Sequence, residues 1–161
     1  MRTIGIVDTT FARYDMGTAA EEELNALGTG FQIIRRTVPG VKDLPVACKL
    51  LIEGESCDLA MAMGMLGPQA VDKQTALVAD LGLQGVQLAT NTPVLGVFVY
   101  EEEAKDDEEL AWLAARRARE HARNAYNMLF RPEVLRQNAG TGRREGFDDA
   151  GPLATTSGKL S

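Results

Sequence analysis

What this chain has little of narrows its chemistry first. It carries one histidine and two cysteines in 161 residues. Cys48 and Cys57 stand without a histidine or a second cysteine pair at ligand spacing, which argues against a zinc or iron–sulfur centre, and both are expected as reduced, buried thiols. No apolar run reaches the roughly 20 residues of a membrane helix. The first residues enter a strand-like segment without the basic and apolar regions of a signal peptide, so a cytoplasmic protein is expected, with no membrane partner. Neither Gly-x-x-x-x-Gly-Lys-Ser/Thr nor Gly-x-Gly-x-x-Gly follows the first apolar run, so the two common phosphate-cradling loops are missing. A formal charge of -6, with acidic residues in the body as well as the tail, argues against nucleic acid or an anionic membrane as the main partner.

What is present is a hydrophobic share of 45%, enough for one domain with a real core. Short apolar runs alternate with helical periods. Thr3 to Val7 and Phe31 to Thr37 read as the first two strands, Leu59 to Met63 as the third, closed by the glycine-rich break Gly64-Met65-Leu66-Gly67-Pro68, and Pro93 to Tyr100 as the fourth. Between them, helices are expected from about Met16 to Leu27, capped by Asp15, from Leu44 to Glu53, and from Ala70 to Ala89, the last bent or tightly packed at Gly82 and Gly85. A final helix from about Asp106 to Phe130 has acidic residues at its positive end. Four βα units in a row imply an α/β fold of three layers: a flavodoxin-like, four-stranded parallel sheet of order 2-1-3-4 with helices on both faces. Residues 1–130 form that domain. Residues 131–161 are polar and glycine-rich, expected as a loose tail or one ordered by a partner or ligand.

In such sheets ligands bind beyond the carboxyl ends of the strands, where strand order reverses. The unusual loops gather there. In the second, Pro39 fixes its own φ and keeps Val38 extended, Gly40 is free to turn with φ > 0 and to let a ligand reach bare backbone, and Asp43 is placed to cap the next helix, with unpaired amides beside the glycine. Thr9, Thr10 and Phe11 come from the first loop, Gly64 to Gln69 from the third, and Tyr100 to Lys105 from the fourth. Together they describe an apolar, aromatic slot suited to a flat heterocycle, with Phe11 either stacking on it or closing the sheet edge. A receiver domain would need an aspartate where Met63-Gly64 stands, and a flavodoxin would need glycine in Asp8-Thr9-Thr10-Phe11-Ala12-Arg13.

Three strings, Gly5-Ile6-Val7-Asp8-Thr9-Thr10-Phe11-Ala12-Arg13, the run from Thr37 to Cys48, and Glu102-Glu103-Ala104-Lys105-Asp106-Asp107, resemble the archaeal-type riboflavin synthase family. The likeness extends to Gly146-Phe147-Asp148-Asp149-Ala150-Gly151-Pro152. That family is related to lumazine synthase, whose Val-Pro-Gly loop, aromatic after strand one and small-residue loop after strand three match Val38-Pro39-Gly40, Phe11 and Gly64. The Arg-Gly-x-Thr phosphate motif and following histidine of lumazine synthase are absent from Leu66-Gly67-Pro68-Gln69-Ala70-Val71-Asp72-Lys73. The resemblance therefore implies the dismutation of two 6,7-dimethyl-8-ribityllumazine molecules into riboflavin and 5-amino-6-(D-ribitylamino)uracil, in a homopentamer with sites between neighbours. Lumazine synthase, or a flavin-binding module without catalysis, is the alternative.

No organic cofactor is implied; Mg²⁺ is, with the acidic run Glu101 to Glu103 and Asp106 to Glu109 as its possible holder, although helix capping also explains those residues. Phe11 is assigned to ring stacking, Val38, Gly40 and Gly64 to backbone contacts with the pyrimidine edge, and Asp43 to the loop cap or a ribityl hydroxyl. Thr9, Thr10, Pro39, Met65, Leu66, Phe98 and Tyr100 complete the slot. Asp72, Lys73, Glu101 and Lys105 are candidates for proton transfer or plain surface charges. Arg117 lies near the position of a ligand-binding lysine in lumazine synthase, and His121, one turn on, is a candidate for a site shared with a neighbouring subunit.

Overall fold

The computed structural model describes residues 1–154. Its elements run β1 (Arg2–Thr9), α1 (Met16–Leu27), β2 (Phe31–Val38), a 3₁₀ turn (Val41–Asp43), α2 (Leu44–Gly54), β3 (Leu59–Leu66), α3 (Ala70–Thr90), β4 (Val94–Tyr100), a second 3₁₀ turn (Glu101–Glu103), α4 (Asp107–Phe130) and α5 (Pro132–Gln137). All strand pairs are parallel, in the order β2-β1-β3-β4. The expected architecture is the observed one.

Strand alternation divides the core. Leu59, Met61, Met63 and Met65 point from β3 into the layer under α1 and α4, while Ala60, Ala62 and Leu66 point to α2 and α3. The three methionines are at most 1% exposed, and each contributes about 1.5–3 kcal/mol by leaving water. Small residues on the other face bring α2 close: a Cβ on Gly5 would lie 3.1 Å from Leu51 Cδ1. Asp15 caps α1 by accepting from the Thr18 amide at 3.0 Å, as its position predicts. The third helix is continuous, and Gly82 marks close packing, since a Cβ there would come within 2.7 Å of Pro45.

Four expectations change. The third strand does not break at Gly64 but pairs with β4 to its end, Leu66 opposite Tyr100, because a buried segment gains backbone partners on β4 by continuing past Ala62, where its pairing with β1 ends. Gly40 is not in the φ > 0 region; it is extended, at φ -145° and ψ 174°. Asp43 does not cap α2 through its side chain, and instead accepts from the Gly40 amide at 3.0 Å, closing the loop on itself. The tail is not loose over its described part: α5 follows α4 directly, and residues 138–151 fold back on α4. Positions 155–161 of that tail lie outside the described residues.

Candidate active site at the carboxyl edge of the sheet

The first two exit loops are tied by backbone. Thr10 N–H donates to the Val38 carbonyl at 2.9 Å and Phe11 N–H to the Pro39 carbonyl at 3.1 Å, with the Thr10 hydroxyl on the same Pro39 oxygen at 3.3 Å. Thr9 turns its hydroxyl inward, where it accepts from the Ala12 amide. Phe11 is thereby held beside the Pro39-Gly40 step, and it is 58% exposed: it does not close the sheet edge. Beyond Gly40, Val41 is buried against β3, and a Cβ on Gly64 would collide with Val41 Cγ1 and come within 3.6 Å of the Phe98 ring. Phe11, Pro39, Gly40, Val41, Gly64 and Phe98 thus form one continuous apolar edge.

Gly40 is the telling member. Its backbone angles suit any residue, and a Cβ there would meet nothing nearer than Asp43 Oδ2 at 3.9 Å. Nothing in the chain itself requires glycine. A body approaching from outside would. Gly40 cannot offer its own amide or carbonyl to a ring, since both are engaged with Asp43. The amides of Val41 and Lys42, at the head of the 3₁₀ turn, have no acceptor among the described residues and face the task the sequence assigned to Gly40.

The fourth loop is an acidic hub. Its three consecutive glutamates reach three different elements: Glu101 pairs with Arg13 of the first loop at 3.2 Å, Glu102 with Lys73 of α3 at 2.7 Å, and Glu103 with Arg117 of α4 at 2.7 Å. Asp106 caps α4 and Asp107 pairs with Arg13. Each carboxylate of the run Glu101 to Glu103 faces a cation rather than another carboxylate. No group of three His, Cys, Asp or Glu side chains among the described residues is placed to hold a metal. The run expected to accommodate Mg²⁺ does not fit that task within one chain.

Several predicted site residues have other work. Met65 and Leu66 are strand residues, 1% and 2% exposed, with side chains in the two core layers, so only their backbone faces the edge. Phe98 and Tyr100 pack half-buried against the α2 and α3 layer, their side chains pointing away from α4. Asp72 accepts from the Gln69 amide at 2.9 Å and so caps α3; Lys73 and Glu101 are tied by the ion pairs above. Lys105 is exposed, and its ammonium has no acceptor among the described residues. Arg117 is neither a solvated helix residue nor open to a ligand: it is 2% exposed, bonded to Glu103, to the Phe98 carbonyl and to the Gly146 carbonyl. His121 is half-buried, and α4 carries it about 20 Å along its axis from the first residue, Asp107, at the site edge. Burial, and Arg117 beside it, push its pKa down to about 4, leaving a neutral ring at pH 7.

Arg13, Glu102 and Glu103 were not singled out by pattern as partners, because ion pairs between loops of distant sequence carry no periodic signal. Asp80 was missed as well. It stands on α3 beside Gly96, whose Cβ would lie 3.3 Å from its Oδ1, and burial raises its pKa.

Residues 2–133 match the model of the family described as 6,7-dimethyl-8-ribityllumazine synthase. The chain belongs to that family. Within it, the chain is 60% identical over 153 residues to the riboflavin synthase of Methanothermobacter marburgensis, covering 95% of this chain and 100% of the relative. The riboflavin synthase of Archaeoglobus fulgidus is 44% identical over 150 residues, covering 93% and 97%, and that of Aeropyrum pernix 44% identical over 153 residues, covering 94% and 98%. The resemblance read from the loops and the relatives found by comparison agree.

Proposed function

We propose that this chain is a riboflavin synthase, which binds two molecules of 6,7-dimethyl-8-ribityllumazine at the carboxyl edge of the sheet and transfers a four-carbon unit between them. The observation that carries this is Gly40: a position with room for a side chain and no need of glycine, set beside an exposed Phe11. A flat ring stacked on Phe11 and pressed against the Gly40 backbone accounts for both. The Val41 and Lys42 amides then suit the pyrimidine carbonyls, and Thr10 and Asp43 stand within the same wall for ribityl hydroxyls. Because Leu66 to Lys73 lacks the phosphate motif, the dismutation is favoured over lumazine synthesis.

Positioning dominates the chemistry. The C7 methyl of one lumazine loses a proton, and the resulting carbanion attacks the partner ring; holding the rings face to face supplies part of the roughly 7–11 kcal/mol available from orientation. Among Asp72, Lys73, Glu101 and Lys105, Lys105 alone has a charged group that makes no hydrogen bond or ion pair among the described residues, and it is the group we assign to proton transfer at this edge. No step is routed through Mg²⁺.

The edge is open in the single chain, and the reading includes a second copy to complete it. Val46, Leu50, Leu77, Val78, Leu81 and Leu88 leave an apolar face on α2 and α3, each at least 57% exposed, which supports a homo-oligomer, read here as a pentamer. No helix among the described residues is long and apolar enough to cross a membrane, and a cytoplasmic place belongs to the same reading.

The test is incubation of the purified protein with 6,7-dimethyl-8-ribityllumazine alone, following riboflavin fluorescence with and without Mg²⁺. Turnover without any second substrate is expected. Turnover only with the pyrimidine and a four-carbon sugar phosphate would establish lumazine synthase instead, and tight riboflavin binding without turnover a flavin-binding module.

A further inference from the structure

The tail loop is built with more care than a solvated terminus needs. Its neck is closed by Ala150 N–H donating to the Gly142 carbonyl at 2.9 Å, and Asp149 braces it by accepting from the Arg144 amide at 2.9 Å. Its tip is Gly146, at φ +75°, which only glycine adopts without strain. The Gly146 peptide is gripped from both sides by α4: its N–H donates to Glu120, and its carbonyl accepts from Arg117 Nη2 at 3.2 Å. A Cβ at Gly146 would lie 2.6 Å from Arg117 Cγ. The next residue, Phe147, lays its ring over the same guanidinium, 3.9 Å from Cζ to the ring centroid.

The other edge of that guanidinium faces the candidate site. Arg117 Nη1 donates to the carbonyl of Phe98 on the edge strand β4 at 3.0 Å and to Glu103 Oε2 at 2.7 Å, while Nη2 reaches Glu103 Oε1 at 3.0 Å. Glu103 in turn accepts from the Tyr100 amide at 2.9 Å, which sets the 3₁₀ turn that leads into Lys105. Arg117 Nε has no partner among the described residues, so the fold buries this cation without satisfying it fully. Tail, guanidinium and exit turn form one chain of contacts.

We propose that Arg117 is a positioning residue for the reaction at the sheet edge, and that the tail loop 142–150, through Gly146 and Phe147, holds its guanidinium against Glu103 and so sets the turn that carries Lys105. This rests on the riboflavin synthase reading above. The tail thereby acts on the site without touching the rings.

Two full-length variants test it, Gly146→Ala and Arg117→Gln, each checked for native circular dichroism. Tail release is read from tryptic cleavage at Arg143 and Arg144 and from the fluorescence of Trp112, the one tryptophan, because Arg116 lies over its ring at 5.4 Å and is itself held by Asp148 of the tail. The expected result is tail release in both variants, with kcat falling by up to about 100-fold, the scale of a 1 Å misplacement, and KM changing much less. Phe147→Ala, which removes only the ring, should move both readouts in the same direction and by less. Tail release with kcat unchanged, or an undisturbed tail in both variants, would overturn the proposal. So would a fall in kcat for Arg117→Gln alone, which would make the arginine act without the tail. If the wild-type chain shows no turnover, the riboflavin synthase reading fails by itself, and the same variants are then judged by affinity for riboflavin, where equal affinity with a released tail would overturn the coupling.

Discussion

Replacing Gly40 by alanine separates what the chain needs from what its ligand needs. The residue sits at φ -145° and ψ 174°, open to any L-amino acid, and a methyl there would meet no atom nearer than 3.9 Å. In the free protein the substitution removes conformational freedom from the unfolded chain only, and should stabilise by about 0.4–1 kcal/mol. In the complex the methyl occupies the space between backbone and ring. Overpacking of that kind costs about 1–3 kcal/mol, so lumazine and riboflavin should bind about 5- to 150-fold more weakly. Urea unfolding measures the first effect, and flavin fluorescence quenching with kcat/KM measures the second. Stability raised or unchanged together with affinity inside about twofold of wild type would refute the argument, because then no ring comes against this backbone.

Gly64→Ala should do the reverse: its methyl collides with Val41 Cγ1, so it should destabilise by about 1–3 kcal/mol in urea unfolding even without ligand. Phe11→Ala removes a ring that is 58% exposed, so stability should stay within about 0.5 kcal/mol while ligand affinity falls by the roughly 0.5–1.5 kcal/mol of an aromatic stack, seen in the same quenching titration. His121, whose folded pKa lies near 4 against an ordinary 6.5, binds its proton more readily when unfolded; its contribution to stability is therefore present above pH 6.5 and lost as the pH falls toward 4. Urea midpoints across that window should fall less steeply for His121→Gln, and an NMR titration of the imidazole with a midpoint near 6.5 in the folded protein would refute the assignment.

Much of this protein is legible along the chain. Short β-branched or apolar runs separated by helical periods determine a parallel α/β sheet, since parallel strands need crossovers and crossovers of this length are helices. The loop Arg36 to Pro45 declares itself through Pro39, whose backbone constraint is local, and Asp15 announces the start of α1 because capping is a contact three residues long. Other features exist only once the chain is folded. The register of β3 against β4 carries strand structure through Gly64 to Leu66, which local glycine preference argues against. The side chains of Glu101, Glu102 and Glu103 look like a metal-binding or capping run in one dimension, and become three separate ion pairs because Arg13, Lys73 and Arg117 arrive from loops and helices as far as 88 positions away.

Arg117 shows the division most plainly. The family resemblance suggests a ligand contact for it, whereas the tail, read as loose from its glycines and charges, folds back and buries it. Local physics determines which backbone shapes a segment can take, and with them the sheet, the caps and the Val38-Pro39-Gly40 wall. Long-range contact alone decides which charges meet, because a charge has no preferred direction along the sequence and finds its partner only in three dimensions.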